Sequence, residues 1–329
     1  MYAELKVSHH DARLRRARNV AAETACTHVE IYIKHMYPFK LQFVLLGINV
    51  EMGPYALFFL VAIVVAVVGC FLFARAREFN GKIILMMLII MAVSAIIGAR
   101  VLNALVNFSS YAADSGKLFE FGATGFSLYG GIMMAVVSAV IFCRIYKLDI
   151  FKLGDTFVPF LGISIAIMRV GCFLQGCCFG VETDLPWGVK FPLLSPAHLH
   201  QIGIYGNFME VYAVHPTQLY ELFAAVILSA AAFMFLEKKP AKGPQGGAGR
   251  ASGRANGLVL FGFIAAFSLF RLFNSFLRVS PDGFSAPPWF YPVFYLAIIA
   301  ASGAFMLKLA HARIQTKTGD NHVRGEERG

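Results

Sequence analysis

The stretch PYALFFLVAIVVAVVGCFLFARAR, residues 54–77, decides how the whole chain must be read. From Pro54 to Ala74 it carries no charge, and Arg75 and Arg77 then follow at once. A hydrocarbon core about 30 Å thick takes roughly 20 apolar residues of helix, so this run is long enough to cross a bilayer and ends on arginines that can stay in water. Six further runs of similar length and character lie at 83–106, 127–146, 155–175, 217–236, 257–277 and 290–309. With 54–73 they predict an all-α polytopic membrane protein of about seven transmembrane helices.

Composition supports that reading. Of 329 residues, 58% are hydrophobic and 15% charged, and the mean hydropathy is +0.65; an ordinary soluble domain is less apolar and more charged. The net charge of +10 suggests nucleic acid at first sight. The Lys and Arg residues, however, form short clusters between apolar runs rather than a basic face with interleaved aromatics, so no nucleic-acid partner is expected. Six cysteines spread along such a chain make neither a small disulfide scaffold nor a paired-CxxC metal finger. No cofactor motif is found. No metal site is expected either, because His198 and His200 do not stand at a recognised ligand spacing from Cys172, Cys177 and Cys178.

Charge also predicts orientation. Arg75, Arg77 and Lys82 lie between the first two runs, Arg144, Lys147 and Lys152 between the third and fourth, and Lys238, Lys239, Lys242, Arg250 and Arg254 between the fifth and sixth. The alternate loops carry Lys117, Lys190 and Arg278. The basic-rich loops are expected on the cytoplasmic side, which puts the N-terminus of the membrane domain outside and the C-terminus inside. Residues 1–35, with Arg13, Arg15, Arg16 and Arg18, conflict with that rule and read as a basic extension ahead of Met36 as the start. The membrane domain is therefore 36–310, with an outer loop at 176–216 and a polar, disordered cytoplasmic tail at 311–329; residues 240–256 form a Gly- and Ala-rich linker. A connection of about forty residues is too long for a simple turn, and its Pro, Gly, Trp and Phe content suits an element lying at headgroup level.

Within this frame, SLYGG (127–131), MRVGCFLQGCCFG (168–180), TDLPWGVKFP (183–192), HPTQLYE (215–221) and FRLFNSFLR (270–278) occur in one order. With PYALFF at 54–59 and GAR at 98–100 they resemble the prolipoprotein diacylglyceryl transferase family over about residues 50–305. The resemblance implies a bacterial inner-membrane enzyme that moves the diacylglyceryl group of phosphatidylglycerol onto the lipobox cysteine of preprolipoproteins. Its partners would be phosphatidylglycerol, preprolipoprotein signal peptides and membrane lipid.

That chemistry needs a thiolate and a held phosphate. Arginine suits phosphate because it stays charged and grips through a planar fork, and an arginine inside a span is expensive unless it works. The resemblance makes Arg169 and Arg271 the essential arginines, expected to converge on one lipid phosphate. It assigns substrate contacts to Tyr55, Arg100, Gly130, Gly131, Gly180, Gln218 and Arg278. Arg271 and Arg278 stand two helical turns apart, on one face. Tyr129 takes the place of the family histidine and with it the catalytic position, although tyrosine titrates near 10 against about 6.5 for histidine. Cys172 replaces an asparagine, Ser275 a glutamate and Phe267 a tyrosine. His215 is a candidate stand-in for the missing base. Three cysteines at an outer surface are expected to oxidise, joining Cys172 to Cys177 or Cys178. The alternative to the enzyme is a non-catalytic or differently specific paralogue that binds anionic phospholipid.

Overall fold

The computed structural model describes residues 41–45, 48–108, 111, 127–237, 256–279, 287 and 289–326, with side chains described within 52–311. The basic extension at 1–35, and the linker apart from Asn256, lie outside the described residues. Among the described residues seven helices are long and apolar enough to cross a membrane: α1 (Pro54–Ala76), α2 (Gly81–Val106), α3 (Leu128–Ile145), α4 (Ile150–Gln175), α6 (Thr217–Glu237), α7 (Leu258–Leu277) and the first part of α8, Phe290–His311. A short helix, α5 (Pro196–Tyr205), lies in the long loop. The expected seven spans are present, each within a few residues of its predicted bounds.

Two features differ from the expectation. An antiparallel hairpin of β1 (Leu41–Leu45) and β2 (Ile48–Met52), with Leu41 opposite Met52 and Leu45 opposite Ile48, precedes α1; Val, Ile and Phe favour strand there. Helix α8 runs on to Glu326, through the tail expected to be disordered. Nucleation is the costly step of helix formation, so extending an established helix into polar sequence needs little further stabilisation.

The helix ends show why the chain breaks where it does. Asn80 caps α2 by accepting from the Lys82 N–H, and Asp149 accepts from the Phe151 and Lys152 N–H groups at the start of α4. Ser195 caps α5, Pro196 opens it, and Gly206 at φ +67° closes it in the left-handed conformation that glycine adopts without a steric penalty.

By contacts the chain forms two compact units, one of residues 1–60, 167–222 and 274–286, the other of 61–166, 223–273 and 287–329. In the second, Cys70, Ala74, Ile84, Met87, Phe142, Cys143 and Phe157 form a buried cluster. Lipid tails are as apolar as leucine, so helices in a bilayer associate through close packing rather than through a hydrophobic drive. Gly98 and Gly130 supply it: a Cβ on Gly130 would stand 2.3 Å from the Gly98 carbonyl oxygen. The opposite requirement, an apolar face toward lipid, is met by Leu72, Leu105, Val106 and Ile227, all exposed. The Asp155 carboxylate, inside α4, is buried and accepts from the Gly257 and Leu260 N–H groups, capping α7 from another helix.

In the first unit the long loop folds into a small cap. Phe179, Phe191, Ala197 and Val214 make its core, and backbone bridges join Gly180 to Arg278, Glu182 to Val214 and Val189 to Val214.

Candidate functional site

Helix α6 begins with Thr217, Gln218 and Glu221, three polar side chains on one face and each at most 1% exposed. An isolated carboxylate at such a depth would be strongly disfavoured, so Glu221 must be compensated. It is. Arg169 Nε lies 2.6 Å from Glu221 Oε2, Arg278 Nη1 lies 3.2 Å from Oε1, and Asn274 Nδ2 donates to Oε1 at 3.0 Å. Arg169 comes from the last turns of α4, Asn274 from the end of α7, and Arg278 from just beyond it. Counting these three side chains alone, two guanidinium groups and one carboxylate sum to +1 (2 − 1).

Around the cluster the backbone is tightly held. Gln218 Nε2 donates to the Cys177 carbonyl at 2.7 Å and Thr217 Oγ1 to the Cys178 carbonyl at 2.6 Å. Among the described residues Gln218 Oε1 and Asn274 Oδ1 are buried acceptors without a hydrogen-bond donor. Such groups cost about 1–3 kcal/mol each unless a ligand supplies the donor. Gly180 passes between neighbouring backbones, where a Cβ would lie 2.6 Å from His215 Cβ and from the Leu277 oxygen. Close approach explains that glycine. Tyr55, half-exposed at the start of α1, lays its Cα 3.3 Å from the position of a Cβ on Gly171.

Cys172, Cys177 and Cys178 stand in the same unit with their sulfurs all within 4.8 Å of one another. They are free thiols, so the expected disulfide from Cys172 to Cys177 or Cys178 is not formed. Sulfur hydrogen bonding takes its place. The Cys178 thiol is held well below the ordinary thiol range, first by hydrogen bonds from Cys172 and Cys177 and then by the charges of Arg278 and Arg169. Cys177 is pushed up because its proton is shared with the sulfurs of Cys172 and Cys178, and burial adds to the effect.

His215 Nδ1 faces the Tyr220 hydroxyl at 3.1 Å, and that hydroxyl accepts from Trp187 Nε1–H at 2.9 Å. His198 is committed elsewhere: its Nδ1 accepts from the Leu194 N–H and its Nε2–H donates to the Phe208 carbonyl. It is a structural histidine.

The remaining expected site residues belong to the other unit. Arg271 donates from Nε and Nη2 to the Tyr295 hydroxyl at 3.1 and 2.8 Å, with Tyr295 buried. Arg100 stands 6.0 Å over the Tyr111 ring. Tyr129 is 63% exposed in the first turn of α3. Gly130 and Gly131 are buried, and Gly130 serves the packing of α3 on α2. Helix α7 ends at Leu277, so Arg278 leaves the helix and enters the bridge with Gly180; a shared helix face with Arg271 does not describe it. The residues that sequence reasoning undervalued are Glu221 and Asn274. Their signal was present, since a carboxylate inside an apolar run is costly without partners.

Fold and site together define a multi-pass membrane protein with a buried, net-cationic Arg–Glu–Arg cluster beneath a folded loop. The family model described as prolipoprotein diacylglyceryl transferase matches residues 43–310. The chain belongs to that family. It is 27% identical over 212 residues to the phosphatidylglycerol–prolipoprotein diacylglyceryl transferase of Clostridium tetani (64% of this chain, 74% of that protein). It is 29% identical over 189 residues to the enzyme of that name from Aeromonas salmonicida (57% and 58%) and 30% over 221 residues to that of Geobacter sulfurreducens (64% and 74%). Across several such relatives the matched stretch spans 54% to 74% of their length.

Proposed function

We propose that this chain transfers the diacylglyceryl group of phosphatidylglycerol to the lipobox cysteine thiol of preprolipoproteins, in a bacterial inner membrane, with the long loop on the outer side and the C-terminus in the cytoplasm. The observation that carries the reading is the cluster of Arg169 and Arg278 on Glu221, three charges that sum to +1 where α4 and α7 end and α6 begins. A lipid phosphate fits that surplus. Arginine binds phosphate through two parallel N–H bonds, and a site away from bulk water strengthens them. The resemblance also gives Arg271 a part in the reaction, and R271A is expected to lower transfer. Gln218 Oε1 and Asn274 Oδ1, acceptors that need donors, suit the two hydroxyls of a glycerol headgroup.

In the reaction the acceptor sulfur forms a bond to the glycerol carbon next to phosphate while that carbon's bond to the phosphate oxygen breaks. The electron pair leaves with glycerol phosphate, whose added charge the arginines offset. The thiol proton passes to the Tyr220 oxygen as Tyr220 hands its own to His215 Nδ1, with Trp187 holding the hydroxyl in line. This pair supplies the proton acceptor that the family histidine would supply elsewhere. Tyr129, the family position itself, is exposed and has no comparable partner described.

Purified protein in phosphatidylglycerol nanodiscs, given a lipobox peptide, is expected to add one diacylglyceryl mass to the peptide and to release glycerol phosphate. R169Q should abolish both. Binding of phosphatidylglycerol without product from the unaltered protein would overturn the transferase reading in favour of a lipid-binding paralogue, which the names of the relatives do not favour.

A further inference from the structure

Cysteines 172, 177 and 178 do more than fill space. Cys172 is 2% exposed in the last turn of α4, and the chain then turns through Gly176 at φ +67° and Cys178 at φ +64°. Positive φ is rare for a residue with a side chain and persists only where the surroundings impose it. Here they do. The Cys177 N–H closes back on the Cys172 carbonyl at 3.1 Å, and buried Gln218 and Thr217 pin the next two carbonyls. The turn therefore brings three sulfurs to one point, all within 4.8 Å. A cation with metal–sulfur bonds of about 2.3 Å that keeps a fourth tetrahedral position sets three sulfurs ~3.8 Å apart, so the cluster needs to contract by no more than about 1 Å.

We propose that Cys172, Cys177 and Cys178 form a three-thiolate site for a thiophilic closed-shell cation, Zn(II) or Cu(I), whose open position takes an incoming thiol. Soft thiolate ligands select these ions over Mg(II) or Ca(II). Three thiolates around Zn(II) carry a net −1, and the Arg169 guanidinium, with Nη1 3.7 Å from the Cys172 sulfur, donates to the cage. Each thiol releases its proton on binding. A thiol in the open position is likewise held as thiolate, its proton passing to the Tyr220–His215 pair or to solvent. This second part rests on the transferase reading: Arg169, proposed to hold the phosphate, also touches the sulfur cage, so the bound thiolate would face the carbon it attacks. The metal site itself does not rest on it.

The test uses the full chain, purified in detergent under reducing conditions and stripped of metal. Titration with Zn(II) should reach one equivalent and protect Cys177 and Cys178, the two part-exposed thiols, from N-ethylmaleimide; labelling after denaturation with a chelator, which also exposes the buried Cys70, Cys143 and Cys172, gives the total. Co(II) in place of zinc should give thiolate charge-transfer absorption, and adding a lipobox peptide should shift its visible bands. Outer-shell partners alone are worth 10–100-fold in affinity, so loss of one ligand in C178S should weaken binding at least about tenfold. The footprint needs no variant, which covers the case of a misfolded C178S. Absence of a stoichiometric site, or labelling of Cys177 and Cys178 unchanged by zinc, overturns the proposal. Metal binding with a Co(II) spectrum indifferent to the peptide overturns the open-position part. A bound metal with no transfer activity would sink the transferase reading and leave the metal site standing.

Discussion

Removing the Glu221 carboxylate is the sharpest perturbation available. The group is 1% exposed, and its two arginines are 12% and 19% exposed, so solvent screens the pairs little. Deleting one member of a buried ion pair costs about 3–5 kcal/mol, because the partner's charge is left without compensation. E221A also takes the acceptor from Asn274, roughly 1–3 kcal/mol more. E221Q keeps a neutral oxygen for Asn274 and one arginine, so its cost is the ionic part, about 3 kcal/mol. At about 2–4 °C per kcal/mol, E221Q should lower Tm by about 6–12 °C and E221A by more. R278Q should cost least, since Arg278 is the more exposed arginine and Glu221 keeps Arg169. The three residues share one network, so R278Q added to E221Q should cost less than R278Q alone. Thermal unfolding of the variants in one detergent gives the order. Lipid binding gives an independent readout: E221Q raises the cluster from +1 to +2, so the folded variant should hold phosphatidylglycerol more tightly and lose it more steeply with salt. A Tm within 1 °C of the parent, or weakened lipid binding by folded E221Q, would show that the carboxylate does not balance the arginines.

Other outcomes follow from single contacts. D155A removes the acceptor for the Gly257 and Leu260 N–H groups and should cost about 1–2 kcal/mol, with D155N milder, read in the same unfolding assay. Because Cys178 is lowered and Cys177 raised, the pH midpoint of Cys178 alkylation should lie below that of Cys177 in peptide-resolved mass spectrometry; coincident midpoints would contradict the shared-proton arrangement. Reporter fusions near residues 78, 149 and 245 should read cytoplasmic and those near 115 and 200 external, and an external signal at 245 would reverse the proposed orientation.

The spans were legible because a bilayer imposes a length and a polarity that no other environment demands together, and runs such as 54–76 and 217–237 meet both. The cap over the first unit was half legible: the density of Pro, Gly and aromatic residues in 176–216 signalled structure, but the pairing of Glu182 and Val189 with Val214 depends on tertiary register. Glu221 was visible as an acid in an apolar run, whereas its partners lie 52 and 57 residues away, a pairing that no local spacing encodes. The spacing of Arg271 and Arg278 misled for a physical reason. Periodicity assumes the helix continues, and α7 stops at Leu277, one residue before the second arginine.

The departures from the family motifs acquire a common logic from this geometry. Where the resemblance implies an asparagine, Cys172 places a sulfur beside Arg169 and within reach of two more. Where the resemblance implies a histidine, Tyr129 is exposed, while His215 and Tyr220 share a hydrogen bond. A transferase of this kind must do two separable things, hold a phosphate and release a thiol proton. On the proposed reading the first depends on arginines, and the resemblance matches Arg169 and Arg271 to those the family needs. The second depends only on an acceptor of suitable basicity near the sulfur, a role that different residues, or a thiophilic cation, can fill from different elements. Changes concentrated in the second set, with the first intact, are what a retained leaving-group site and a rebuilt thiol-activating site would leave in a sequence.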